Sequence, residues 1–186
     1  MKNLYQYTTA VFILATIFFY SCSNDEQTVG KLYKKREYLL SEFKDKSVIR
    51  RGEIFYQLSY YKGQSVNTFY FERKNGVLVF TNDTVQFPIN EIGALMSVNI
   101  KDSSNYKQGL ISELNRLLKI MNDFEIRNVS AENRFVGIDM KIYFGDYKAL
   151  LYVSNVAEIK NERWKNYVTS GKRLDDNWYY VKDELE

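Results

Sequence analysis

The sequence contains no histidine, a single cysteine and a single proline in 186 residues. Lack of histidine excludes Ser-His-Asp and Cys-His nucleophilic sites, and with them an imidazole proton shuttle near neutral pH. One cysteine without histidine also excludes zinc and blue-copper centres built on those ligands, and no cofactor is expected. Charge of one sign is scarce too: 26 lysines and arginines face 23 acidic side chains, a formal net charge of +3. So even a balance gives no electrostatic case for nucleic acid, which favours a clustered basic face. What is present is ordinary for a globular chain, 45% hydrophobic and 26% charged, where disorder needs fewer apolar residues or a larger net charge. The length suits one domain.

Long hydrophobic runs are missing, with one short exception. Lys2 is the only charged side chain before an apolar run from Ala10 to Tyr20, broken only by Thr16. A membrane-crossing helix needs about twenty residues, so this run is too short to span. A basic start, a short apolar core and a small residue at the end describe a secretory signal peptide, residues 1–21. The exit reads Phe19-Tyr20-Ser21-Cys22 and continues Ser23-Asn24-Asp25-Glu26. This segment resembles the lipobox of bacterial lipoproteins of the Bacteroidetes type, with Ser21 in the small position. The resemblance implies diacylation of the Cys22 sulfur and removal of the peptide before it. It also implies a lipid anchor in the cell envelope at the outer membrane, and the acidic stretch implies surface export. A lone cysteine agrees, since one free thiol is otherwise odd in a secreted chain. Several acyl chains make such anchoring stable, at about 0.8 kcal/mol per buried CH₂.

Residues 22–30 then read as a lipidated cysteine and polar tether, and 31–186 as a single α+β domain. Leu32, Leu39, Leu40 and Phe43 at helical spacing predict an amphipathic helix over 31–46. From Glu53 the period changes to two. Strands are expected at 53–61, 66–73, 77–81 and 84–87, with turns at Lys62-Gly63-Gln64-Ser65, Lys74-Asn75-Gly76 and Asn82-Asp83. Pro88 closes this meander where a missing N–H costs no ladder bond. Residues 90–102 fit either a short helix or a strand. Leu110, Ile111, Leu114, Leu117, Leu118 and Met121 form a helical stripe that predicts a helix over 105–123, capped from Ser103-Ser104. Further strands are expected at 124–129, 136–144, 147–154 and 178–181, with a short helix at 158–170 stopped by Gly171. The sum is an α+β fold, a mostly antiparallel sheet of seven or eight strands with packed helices.

Aromatics stand on both parities of the first strands: Phe55, Tyr56, Tyr60, Tyr61, Phe69, Tyr70 and Phe71. They admit two readings, a sheet covered on both faces or a face with exposed rings that meets a protein or glycan. Tyr61 and Tyr70, with Trp178 and Tyr180 near the carboxyl end, are the candidate partner-binding residues. Asp175-Asp176 reads as a turn, because calcium wants about six to eight oxygens in a patterned loop. Asp139, Asp146 and Glu158 show no pairing by spacing. GxSxG, a Gly-rich phosphate loop and SxxK are all absent from the sequence. Asp83-Thr84-Val85 resembles the short O-glycosylation signal of Bacteroidetes envelope proteins, which implies a glycan on Thr84; the same residues also read as a hairpin turn.

These readings converge on an envelope lipoprotein, held at the membrane by lipid, with a non-catalytic binding or accessory role. Two alternatives stand beside it: an inhibitor or immunity-type lipoprotein against an incoming effector, and an envelope enzyme built on carboxylates or serine.

Overall fold

The computed structural model describes residues 26–93, Met96, 105–145 and 147–182. The chain divides into two units, residues 1–36 and 37–186. In the first, residues 26–34 form helix α1. Beyond it, the Arg36 guanidinium donates to the Tyr33 carbonyl (3.3 Å) and lies 4.4 Å from the centre of the Tyr33 ring. The helix expected over 31–46 is therefore two helices, α1 and α2 (Arg36–Phe43), interrupted at Lys35. Lys31 and Lys35 would be like-charged neighbours one turn apart in a continuous helix, which disfavours it. Residues 26–30, expected as tether, are already helical. At the far end, Asp45 takes φ 60° and stops the helical path before Lys46.

In the second unit β1 (Lys46–Arg51), β2 (Phe55–Lys62), β3 (Ser65–Lys74) and β4 (Val77–Thr84) form a meander. After α3 (Ile89–Ile92) and α4 (Tyr106–Asp123) come β5 (Ile126–Ser130), β6 (Met140–Phe144) and β7 (Lys148–Tyr152). Helix α5 (Glu162–Thr169), β8 (Lys172–Arg173) and β9 (Trp178–Lys182) complete the chain order. All nine strands join one open antiparallel sheet in the order β4-β3-β2-β1-β5-β6-β7-β9-β8. The α+β class stands, and among the described residues the count is nine strands rather than seven or eight. The strand expected at 84–87 does not form. β4 instead runs through Asn82 and Asp83, which stay paired with Tyr70 and Phe69. Thr81 is the extra residue of a bulge there, and its hydroxyl donates to the Tyr70 carbonyl (3.0 Å). β1 and the two-residue β8 were not expected. β6 starts at Met140 rather than 136, because Glu132–Val136 is a 3-10 turn ended by Gly137 at φ 94°. Of the ambiguous 90–102 stretch, Ile89–Ile92 shows that the start is helical; residues 97–102 lie outside the described residues.

Register divides the side chains between two faces, since directly paired residues share a face. Tyr56, Leu58 and Tyr60 of β2 pair with Phe71, Phe69 and Asn67 of β3, and Val48 pairs with both Leu58 and Val129. On this first face Leu58, Tyr60, Phe69, Phe71, Val129, Ile142 and Leu150 are buried. Helix α4 covers it, with Leu110, Leu114, Leu117 and Met121 buried. Inside that apolar contact lies an ion cluster. The Lys46 ammonium meets Glu113 Oε1 at 3.1 Å, and Arg116 grips both Glu113 oxygens (3.0 and 3.1 Å) and Glu42 (2.6 Å). The second face is covered only in part. Ala149, Leu151, Tyr179 and Val181 pack with Ile138, Val153, Ile159 and Val168, a satellite core under α5.

Candidate functional site

The second face of β6 carries Lys141 and Tyr143, two residues apart and thus on the same side. α5 lies over them, and its position is set by three local features. The Asn161 side chain caps the helix, accepting from the backbone N–H groups of Arg163 (3.0 Å) and Trp164 (3.3 Å). Val168 is fully buried in the satellite core. Gly171 then approaches β9 so closely that a Cβ would stand 2.5 Å from Val181 Cγ1 and 2.7 Å from the Tyr180 carbonyl oxygen. Gly171 therefore ends the helix region through close approach, not through a left-handed φ.

These constraints place Trp164 and Tyr167 against Lys141. The Lys141 ammonium lies 4.5 Å from the centre of the Tyr167 ring, 5.1 Å from Trp164 and 5.5 Å from Tyr143. Trp164 and Tyr167 meet edge to face at 5.8 Å. Lys141 itself is 4% exposed. Ring faces carry negative charge and attract a desolvated cation, by about 2 kcal/mol or more at buried sites. The rings thus help to hold a lysine so deep. Beside it opens a cavity of about 850 Å³, lined also by Arg163, Lys172 and Lys182. Register turns the Lys172 side chain, opposite Tyr180, and the Lys182 side chain, opposite Lys148, toward the first face, so these two residues line the space with other atoms. Aromatic walls with a few polar groups suit non-covalent capture of a small ligand. A smaller cavity of about 370 Å³ includes Arg127, Glu132, Tyr143 and Lys148 in its lining.

The four aromatic candidates from the sequence are not brought together. Tyr61 and Tyr70 lie on the second face, through pairing with Val66 and Gln57. Trp178 and Tyr180 lie on the first face, opposite Tyr152 and Leu150. Trp178 is 2% exposed and packs against Tyr152, with ring centres 5.2 Å apart. Tyr61 is 6% exposed; its hydroxyl accepts from Ser47 (3.2 Å), and Phe135 meets its ring edge at 6.2 Å. Burial pushes the Tyr61 hydroxyl above its ordinary value, with the Ser47 hydrogen bond acting against it. Tyr70 and Tyr180 are half-buried, and the Tyr180 ring stacks on Phe144.

Each described acid singled out earlier does local structural work. Asp175 accepts from the N–H groups of Asn177 (2.8 Å) and Trp178 (2.9 Å), the turn its sequence predicts. Asp176 pairs with Arg173. Asp139 accepts from the Ser154 N–H (2.7 Å), and Glu158 accepts from Asn155 (3.0 Å). Thr84 is exposed at the end of β4, opposite Thr68. Cys22 and Asp146 lie outside the described residues. Among the described residues no helix is long and apolar enough to cross a membrane.

Lys141, Arg163, Trp164 and Tyr167 were missed by sequence reading. In strand alternation Lys141 falls at an outward polar position. The available signal was Trp164 and Tyr167, two rings one turn apart on a helix whose other apolar residue is Val168. Compared with known protein families, curated proteins and solved structures, the chain matches none.

Proposed function

We propose that this chain is an envelope lipoprotein with a non-catalytic binding role, anchored at the outer membrane through acyl groups on Cys22. The ligand enters the α5 cavity. The observation that carries the binding half is Lys141, buried among Tyr143, Trp164 and Tyr167 at a cavity of about 850 Å³. A cavity walled by ring surface with a few polar groups offers a ligand both apolar and polar contact. The anchor half is supported by the basic start, the Ala10–Tyr20 run and Ser21-Cys22.

One experiment in cells reads both halves. The full chain and a Cys22→Ala variant are labelled with palmitate, and aromatic side chains are then footprinted with hydroxyl radicals. Label on the wild type and none on Cys22→Ala is expected. Trp164 and Tyr167 should be protected in the envelope relative to purified protein, while exposed Phe55 reacts equally in both. An unlabelled wild type refutes the anchor. Equal oxidation of Trp164 and Tyr167 in both samples refutes an occupied cavity.

A further inference from the structure

β4 ends the sheet on one side, and among the described residues no strand lies beyond it. Edge strands are commonly kept from pairing by lysine, proline, short length or a bulge. β4 runs for eight residues without lysine or proline and opens with four apolar residues, Val77–Phe80, ahead of its bulge. Val77 is 64% exposed and Val79 39%. Helix α4 meets β4 from the first face, with Tyr106 edge to face on Phe80 (6.4 Å) and the Lys107 ammonium over the same ring (4.8 Å).

Register fixes which backbone groups of β4 point outward. Asn75 and Gly76, at φ 50° and 81°, make a two-residue hairpin turn, so Lys74 and Val77 form a hydrogen-bonded pair. Arg73, one residue earlier on β3, gives its N–H to the Ile54 carbonyl on the other side (2.8 Å). Leu78, opposite Arg73, therefore turns its N–H and C=O away from β3, and so does Phe80 two residues on. Past Phe80 the bulge at Thr81 breaks the alternation. The outward groups of the regular edge are thus those of Leu78 and Phe80.

Strand addition by a foreign peptide draws its specificity from side-chain pockets, and neither cavity described above is lined by β4 residues. A second copy brings its own match. With a two-fold axis through Val79, Leu78 of each copy pairs with Phe80 of the other, which makes four N–H···O=C bonds. An axis through Leu78 or Phe80 makes only two. The Val79 axis also sets Val79 against Val79 on the second face and Leu78 against Phe80 on the first. Asp83, the one charge in β4, then faces the turn of the second copy, beside its exposed Lys74, and not its own counterpart. From this self-match we propose that the chain forms a two-fold dimer by antiparallel β4–β4 pairing, which joins two sheets into one. Four residues per copy are few beside the roughly 20–30 per side of a standard interface, so the dimer comes apart on dilution.

Disulfide trapping on the full-length purified chain, in a Cys22→Ala background, tests the axis. Residues opposed in a non-hydrogen-bonded antiparallel pair have Cα atoms about 4.5 Å apart, which a disulfide spans. Val79→Cys should cross-link to its copy at least about tenfold faster than Val77→Cys, whose Cα atoms stand about 14 Å apart in this register. Val79→Lys sets two ammonium groups against each other and should stay monomeric in sedimentation where wild type dimerises. Amide exchange at Leu78 and Phe80 should slow as protein concentration rises, while Val77 and Val79, bonded to β3, stay unchanged. A Val79→Cys chain that stays monomeric, or cross-links no faster than Val77→Cys, overturns the inference. Leu78 and Phe80 amides protected at every concentration in a monomer also overturn it, and assign the edge to another segment of this chain.

Discussion

Glu113 is fully buried in the stripe of α4 that faces the sheet. It is held between Lys46, whose side chain is 4% exposed, and Arg116, whose side chain is 30% exposed and also bonded to Glu42. The two cations respond differently to its loss. In Glu113→Leu, Arg116 retains Glu42 and its route to solvent, whereas Lys46 is left as a buried ammonium without the carboxylate it faces. Breaking such a pair from one side costs about 3–5 kcal/mol. Lys46→Met should cost less, about 1–2 kcal/mol, because Arg116 still grips both Glu113 oxygens. The double variant removes both charges and puts apolar volume in their place. It should lie within about 1 kcal/mol of wild type, giving a coupling of roughly 3 kcal/mol or more between the two sites. Urea unfolding at constant m reads all four chains.

The same cluster sets a pH dependence. Burial pushes the Glu113 carboxyl up, but the Arg116 hydrogen bonds and the Lys46 charge outweigh it, and the net shift is downward. A carboxylate lowered on folding contributes stability above its unfolded value, about 4.3, and loses it as pH falls through the folded value. The advantage of wild type over Glu113→Gln should thus be level at neutral pH and shrink below about pH 4.3. If Glu113→Leu costs under about 1 kcal/mol, or the double variant costs the sum of the singles, the cluster is not coupled as drawn.

Further substitutions probe other constraints. Tyr60→Phe should be neutral or stabilising, because the Tyr60 hydroxyl is buried with no hydrogen-bond partner among the described residues; a loss above about 1.5 kcal/mol in urea unfolding would contradict that. Asn67→Ala should cost about 2–3 kcal/mol by the same assay. Its amide donates to the Phe87 carbonyl (2.8 Å) and accepts from the N–H groups of Gln86 (2.6 Å) and Phe87 (3.0 Å), all at a fully buried site. Gly171→Ala should cost about 1–3 kcal/mol and raise amide exchange in α5, since the added carbon meets both Val181 and Tyr180. Unchanged exchange in α5 would show that the close approach does not hold the helix.

Periodicity carried most of the fold. The α4 stripe and the alternation read in β2 and β6 are local, and a local pattern survives into the structure wherever one face is buried. What stayed illegible depended on pairing. β1 carries Lys46 and Ser47 at buried positions, and Glu113, Tyr61 and Ala131, distant in sequence, make those positions tolerable. β8 is two residues long and exists because β9 lies beside it. Asn82-Asp83 has turn chemistry, yet a bulge at Thr81 lets the strand continue past it. Lys141 was illegible for a similar reason. A lysine alternating with apolar neighbours points to solvent unless a second layer covers that face, and nothing within β6 announces α5.

The aromatic residues of β2 and β3 show how a second layer decides function. Tyr56, Tyr60, Phe69 and Phe71 lie on the face that α4 covers and are buried, and Tyr61 is buried on the second face, so five of the seven rings are core. Phe55, 48% exposed, and half-buried Tyr70 remain on the second face, alongside exposed Val77 and Val79 of β4. Their neighbours there are Gln57, Ser59 and Thr68, and the two hydroxyls bond to each other at 3.0 Å. That half of the face is shallow and mixed, with few rings. On β6, β7 and β9 the same face gains a layer, and with it depth: the row Tyr143, Ala149 and Val181 places a small residue between two larger ones beneath α5. Depth changes what a charge is worth. Exposed, Lys141 would contribute little to recognition, because water screens it. Walled by Tyr143, Trp164 and Tyr167, the same ammonium acts in a lower dielectric, where its attraction for an opposite charge is several-fold stronger.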